Sequence, residues 1–174
     1  MTPLGHKWTL TIKRPHPSGR RPTNNSAWYT TMAPAAMFDT VQHFWGVLDS
    51  LRPVSKMPQN TDVFLFRDET APLWEDVRNA NGGRWTVAVP TAGAVAADDW
   101  WVETAMAAVG EQFGDTLCGV AASARKVECR VSVWTDSAAD KEAVLRVGHV
   151  FRAAVGGKEV VYSAHTDTAV LHTL

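Results

Sequence analysis

What most limits the fold of this chain is an order of periodicities that recurs three times: two stretches with strand-like alternation, then one with the spacing of an amphipathic helix. Residues 6–12 and 27–32 read as strands and 39–51 as a helix. Residues 61–66 and 83–89 are strands again, and 98–113 a helix. Residues 117–124 and 127–135 follow as strands, 138–155 as a helix, and a last strand lies near 159–164. Three strand-strand-helix units with a closing strand point to an α+β domain, one antiparallel sheet with its helices on a single face.

Local signals agree with this order. Asn81-Gly82-Gly83 is a turn before the Trp85 strand, and Ser137 with Asp140 has the spacing of a capping box at the start of the third helix. Gly156-Gly157 suits a left-handed helix end. Residues 13–25 hold three prolines and four basic residues without apolar periodicity, and read as an extended loop expected to be mobile without a ligand. Residues 170–174 are expected to form a flexible tail, and residues 1–174 a single domain. In the first helix Phe38, Val41, Phe44, Trp45, Val47, Leu48 and Leu51 spread over about half the circumference, wider than the ~100° stripe of an ordinary surface helix. Either the helix is sunk deeply into its own domain, or a partner covers the excess.

With 45% hydrophobic and 20% charged residues the chain has the makeup of an ordinary globular domain. A formal net charge of -1 excludes a broad positive field for sequence-blind nucleic-acid binding, but not a few placed arginines holding a small anion. Cys118 and Cys129 sit in apolar strand-like stretches and read as buried free thiols of a reducing compartment. Two cysteines and six scattered histidines give no metal-ligand spacing, so neither metal nor cofactor is expected. No run of about twenty apolar residues is present to span a bilayer, so no membrane partner is expected and the cytosol is the default location.

Eight tryptophans in 174 residues are more than a core of this size needs. Indole is bulky, and its N–H needs a partner when buried. Trp8, Trp85, Trp100 and Trp101 fit core or half-core positions. Trp28, Trp74 and Trp134 lie outside the best core patterns, and Glu75 directly follows Trp74, the composition of a pocket for a flat, electron-poor ring. Arg125 and Arg130 flank the turn between two strands, and alternation puts Arg130 on the same face as Trp134. Neither a nucleophile with its base nor a phosphate-cradling glycine loop is present, so catalysis is not expected.

The segments Phe38-Asp-Thr-Val-Gln-His-Phe-Trp45, Leu73-Trp74-Glu75-Asp76, Gly82-Gly83-Arg84-Trp85, Trp101-Val102-Glu103-Thr104 and Cys118-Gly119, with Trp134 preceded by Arg125 and Arg130, resemble the translation initiation factor 4E family of messenger-RNA cap-binding proteins. The resemblance runs over nearly the whole chain. It implies a curved antiparallel sheet backed by three helices on the convex face, with a cap pocket on the concave face and no catalytic activity. It further implies that Trp28 and Trp74 sandwich 7-methylguanine, that Glu75 reads the guanine edge and that Trp134 abuts the N7 methyl. Arg125 and Arg130 would hold the phosphates, with Arg84 a more distant contact through water. On the helical face Pro3, Val41, Trp45 and Val102 match positions that receive a Tyr-x-x-x-x-Leu-hydrophobic peptide from a scaffold of the initiation factor 4G kind or from a repressor. A monomer acting on capped mRNA in the cytoplasm is the resulting expectation. Arg130 stands where the family commonly has lysine. The basic residues Lys13, Arg14, Arg20 and Arg21 either reach nucleotides beyond the first or belong to a disordered insert, the second being favoured. From the residues alone, an aromatic-cage reader of methylated lysine is the alternative.

Overall fold

The computed structural model describes residues 1–16 and 32–174. Among these residues eight strands form one curved antiparallel sheet: β1 Pro3–Lys13, β2 Met32–Thr40, β3 Thr61–Arg67, β4 Gly83–Pro90, β5 Leu117–Ala124, β6 Glu128–Thr135, β7 Val161–Ala164 and β8 His172–Thr173. Among the described residues three α-helices follow strand pairs: α1 Val41–Ser50, α2 Val95–Val109 and α3 Lys141–Ala154. The strand-strand-helix order read from the sequence is the order of the described elements.

Spatial order adds what periodicity does not contain. The sheet runs β2-β1-β3-β5-β6-β4-β7-β8, so the β5–β6 hairpin lies between β3 and β4. Because every neighbouring pair is antiparallel, the end of β3 and the start of β4 lie at the same end of the sheet, three strand spacings or roughly 14 Å apart. Residues 68–82 must cross that gap, which carries Trp74 over the end of the sheet.

Alternation gives the sheet two unlike faces. Toward the helices point Trp8, Leu10, Val63, Leu65, Trp85, Val120, Val131, Val133 and Tyr162, all in the main core with Trp101, Val144, Val147 and Phe151 from α2 and α3. Trp85 is fully buried and its indole N–H donates to the Val144 carbonyl at 2.8 Å, which meets the polar requirement of a buried tryptophan. The opposite face carries a smaller cluster of Phe64, Phe66, Cys118, Ala121 and Trp134. β3 is therefore buried on both sides along its whole length. Cys118 and Cys129 are buried free thiols, and burial pushes the Cys118 thiol up to about 12.

Several boundaries differ from the sequence reading, each for a local reason. Of the expected strand at 27–32, residues 27–31 lie outside the described residues, and β2 continues from Met32 to Thr40. Pro34 and three alanines hide the alternation there, and β2 accepts a proline because it is an edge strand. Thr40 rather than Asp39 ends the strand and caps α1, accepting from the His43 N–H. Helix α2 stops at Val109 because Gly110 caps it, and Glu111 follows with φ of 60°. Asp140 caps α3 itself, accepting from the Ala143 N–H at 3.0 Å, so it is not the partner three residues into a helix capped by Ser137. The Ala138 N–H instead donates to the Asn81 carbonyl, which keeps residues 138–140 out of the helix. Gly156 and Gly157 adopt φ of 69° and 76°, and their N–H groups donate to Ala153 and Arg152, a Schellman ending.

Residues 170–174, expected as a flexible tail, hold a short strand. His172 pairs with Tyr162, Leu174 and Val160 exchange two backbone hydrogen bonds of 3.0 Å, and the Leu174 side chain packs on the core. Among the described residues no helix is long and apolar enough to cross a membrane.

Gly119 sits at the junction of the two faces. It is opposite Phe66 on one side and Trp134 on the other, and the two rings meet edge to face across it with centroids 5.3 Å apart. A Cβ at this position would come within 2.3 Å of the Phe66 ring and 2.7 Å of the Leu65 carbonyl. Gly119→Ala is expected to destabilise the domain by about 1–3 kcal/mol and to shift the Trp134 emission, as measured by urea unfolding followed through tryptophan fluorescence.

Candidate functional site

The concave face is built from three rows of side chains that run across the strands in register. At the end where β3 stops and β4 starts lie Phe66, Gly119, Trp134, Arg84 and Ser163. The middle row is Phe64, Ala121, Ser132, Thr86 and Val161. The far row is Asp62, Ser123, Arg130 and Ala88. Small side chains in the middle leave a hollow between a mainly aromatic end and a charged end. The result is a cavity of about 480 Å³ lined by residues of all three rows together with Trp74 and Arg125. That volume lies within the range of small-ligand sites.

The aromatic end is firmly supported. Trp134 is 7% exposed and packs against Phe66 at 5.3 Å, Phe64 at 6.3 Å and His165 at 4.3 Å between ring centroids. Trp74 is 53% exposed and stands on the crossing loop. The loop is held by two side chains. Asp76 accepts from the N–H groups of Ala71 and Arg78, and the fully buried Asn79 donates its amide to the carbonyls of Ala71 at 2.8 Å and Leu73 at 2.7 Å. Trp74 is thus presented to solvent on a braced support.

At the charged end Asp62 accepts from Lys13 Nζ at 3.1 Å, Arg125 Nη2 at 2.5 Å and Ser123 Oγ at 2.5 Å. Arg130 pairs with Glu128, two residues before it on the same face of β6. Arg84 is in no ion pair among the described residues. Burial first, and the Arg130 guanidinium second, push its pKa below the ordinary value, while Asp62 pulls it back up. Guanidinium remains charged at any physiological pH, so Arg84, in the row of Trp134, brings to the cavity a positive charge that no ion pair among the described residues balances. An anion relieves that repulsion.

The structure brings together Trp74, Trp134, Arg84, Arg125 and Arg130 as lining of one cavity. Glu75 is exposed beside Trp74 and does not line the cavity. Trp28 lies outside the described residues, as do Arg20 and Arg21. On the opposite face Pro3 is registered against Thr40, and the Val41 N–H donates to the Thr2 carbonyl, which places Pro3 beside the first turn of α1. Trp45 follows Val41 by one helical turn and is 41% exposed. Of α1 only Phe44 is buried, so the helix is not sunk into its own domain. Val102 is half-buried on α2.

Asp62, Phe64, Phe66, Glu128, Asn79 and His165 are not among the residues to which the sequence points. For Asp62, Phe64 and Phe66 a signal exists, since period two puts them on one face of β3. Glu128 shares a face with Arg130 by the same rule. Asn79 and His165 carry no such mark, because their roles come from loops.

This chain matches the family model described as Eukaryotic initiation factor 4E over residues 3–173. It is 36% identical over 168 residues to the eukaryotic translation initiation factor isoform 4E of Prunus domestica, covering 95% of this chain and 76% of the relative. With the isoform 4E of Capsicum annuum it shares 35% identity over 167 residues, 95% of this chain and 80% of the relative. Among solved structures, C. elegans eIF4E-3 in complex with the 4E-binding protein Mextli and a cap analog is 30% identical with a TM-score of 0.88 over 99% of each chain. Ascaris suum eIF4E-3 with an m2,2,7G cap is 28% identical with a TM-score of 0.88, over 99% of this chain and 98% of that one. The chain therefore belongs to the eukaryotic initiation factor 4E family, a family of translation initiation factors and not of enzymes.

His165 adds a pH-dependent term to the stability of the site. Burial first, and Arg84 second, push its imidazole down to about 4, and neither ring nitrogen has a hydrogen-bond partner. As pH falls below 6.5 the unfolded chain takes up a proton that the folded chain resists until about 4. The stability is present in full above 6.5 and is lost across that window. The drop in melting temperature from about pH 7 to about pH 5 is expected to be smaller in His165→Phe than in the natural protein, as read by thermal melts at both pH values.

Proposed function

We propose that the chain binds the 7-methylguanosine 5′ cap of mRNA in the concave cavity. The observation that carries this reading is the arrangement of the cavity, with Trp74 and Trp134 at one end and Arg125 and Arg130 at the other. Trp134 and Arg130 are four residues apart on β6, roughly 13 Å at ~3.3 Å per residue. That span suits a purine nucleotide lying along the strand with its phosphate chain extended. The cap ligands in the C. elegans and Ascaris suum neighbours support the same reading.

Methylation at N7 makes the purine cationic, so stacking on an indole gains about 0.5–2 kcal/mol per face. Trp74 supplies one face and Trp28 the other, while Trp134 abuts the methyl group. Glu75 accepts from the guanine N1–H and exocyclic amine, which discriminates between bases by about 1–3 kcal/mol. Arg125 and Arg130 contact the phosphates, and Arg84 reaches them through water. An aromatic cage for methylated lysine leaves three guanidinium groups without a role.

The helical face takes a partner peptide of the Tyr-x-x-x-x-Leu-hydrophobic type, from a scaffold of the 4G kind or a repressor, on Pro3, Val41, Trp45 and Val102. The exposure of Trp45 and the single buried residue of α1 support this, because a helix laid in a groove covers such a surface. The 4E-binding protein in the C. elegans complex supports a protein partner as well. In this reading the protein works as a monomer in the cytoplasm.

7-Methylguanosine triphosphate is expected to quench the tryptophan fluorescence at micromolar concentration or below, and GTP far more weakly. Equal quenching by both ligands overturns the cation-π account. Glu75→Ala is expected to abolish recognition and leave the melting temperature within about 1 °C, since an exposed side chain contributes little to stability. In a pull-down with a Tyr-x-x-x-x-Leu-hydrophobic peptide, Trp45→Ala is expected to lose the peptide and retain the cap.

A further inference from the structure

Two carboxylates stand among the arginines of the cavity, and they are held in opposite ways. The Asp62 side chain is 5% exposed and accepts from Lys13, Ser123 and Arg125. With three donors it is a fixed post that positions Arg125. The Glu128 side chain is 27% exposed, and its one side-chain partner among the described residues is Arg130, itself 47% exposed. Arg130 turns both Nε and Nη2 toward the same Glu128 oxygen, Oε1. Those are the donors that a guanidinium uses to grip a phosphate with two hydrogen bonds.

We infer that Glu128 is a specificity-determining residue, an internal competitor that occupies Arg130 until a phosphate displaces it and so limits how much of the affinity comes from the phosphate chain. The inference rests on the cap reading of the cavity. Displacement takes the ion pair from Glu128 and leaves its carboxylate facing the incoming oxyanions. Both effects act at the phosphate end. The base end is four residues away along β6, roughly 13 Å, and beyond the ~8 Å screening length at physiological salt. Glu128 therefore disfavours ligands in proportion to their phosphate charge and leaves recognition of the base alone. Ligands with the same phosphate chain bear the same penalty whatever their base, and a ligand without phosphates escapes it.

The test titrates the full chain and its Glu128→Gln variant with 7-methylguanosine and with 7-methylguanosine triphosphate, following tryptophan fluorescence. Glu128→Gln is expected to bind the triphosphate on the order of fivefold more tightly, the scale of a partly exposed ion pair, and to lose affinity more steeply with salt. Its affinity for the nucleoside is expected to match that of the natural protein. Unchanged or weaker triphosphate binding with intact nucleoside binding overturns the inference and leaves the cap reading standing. Binding of neither ligand by the natural protein overturns both. Glu128→Thr, a residue well suited to a strand, is run beside it. Loss of nucleoside binding in both variants makes Glu128 a part of the sheet's architecture and also overturns the inference.

Discussion

The insertion of the β5–β6 hairpin between β3 and β4 is the constraint on which the rest of the structure depends. It separates two consecutive strands by three spacings and forces the chain to bridge them at one end of the sheet. It also puts β5, with Gly119, Ala121 and Ser123, beside Ser132 of β6 at the centre of the concave face, where larger residues would fill the hollow. The cavity is thus a result of which strands lie in the middle. The tryptophans and arginines then arm a space that the topology has already made.

Within that frame the two ends of the cavity are stabilised by different physics. Around Trp134 the forces are those of a core, with perpendicular rings packed over a glycine and a desolvated imidazole behind them. Around Arg125 and Arg130 they are electrostatic, and the protein supplies its own anions to hold the guanidinium groups in place. A buried and multiply bonded carboxylate is a poor leaving group from such a network, whereas a half-exposed one with a single partner is a good one. Rigidity at the aromatic end and exchangeable pairing at the charged end suit a ligand that combines a flat ring with a flexible anionic chain.

Much of this is legible in the amino-acid sequence. The alternation of Arg130, Ser132 and Trp134 already places them on one face, and the three strand-strand-helix units already define the sheet with its helical backing. What periodicity does not contain is the order of strands in space, because pairing between β3 and β5 is made by contacts between segments far apart in sequence. β2 escaped its true limits because Pro34 and short side chains erase the hydrophobic signal that an edge strand does not need. The final strand escaped because two residues are too few to show a period, and its anchor is one leucine. Asp62 was hidden for another reason, since an acidic residue within an apolar run reads as an interruption until its three donors are seen.

The links made by Asp62 also tie together parts of the chain that are distant in sequence. Lys13 closes β1, Ser123 closes the concave run of β5, and Arg125 opens the hairpin turn, so a single carboxylate of β3 joins the ends of β1 and β5. Lys13 and Arg125 thus meet on the two oxygens of one nearly buried carboxylate. The guanidinium at that end of the hollow is consequently tethered, through one side chain, to a strand that contributes no described residue to its wall.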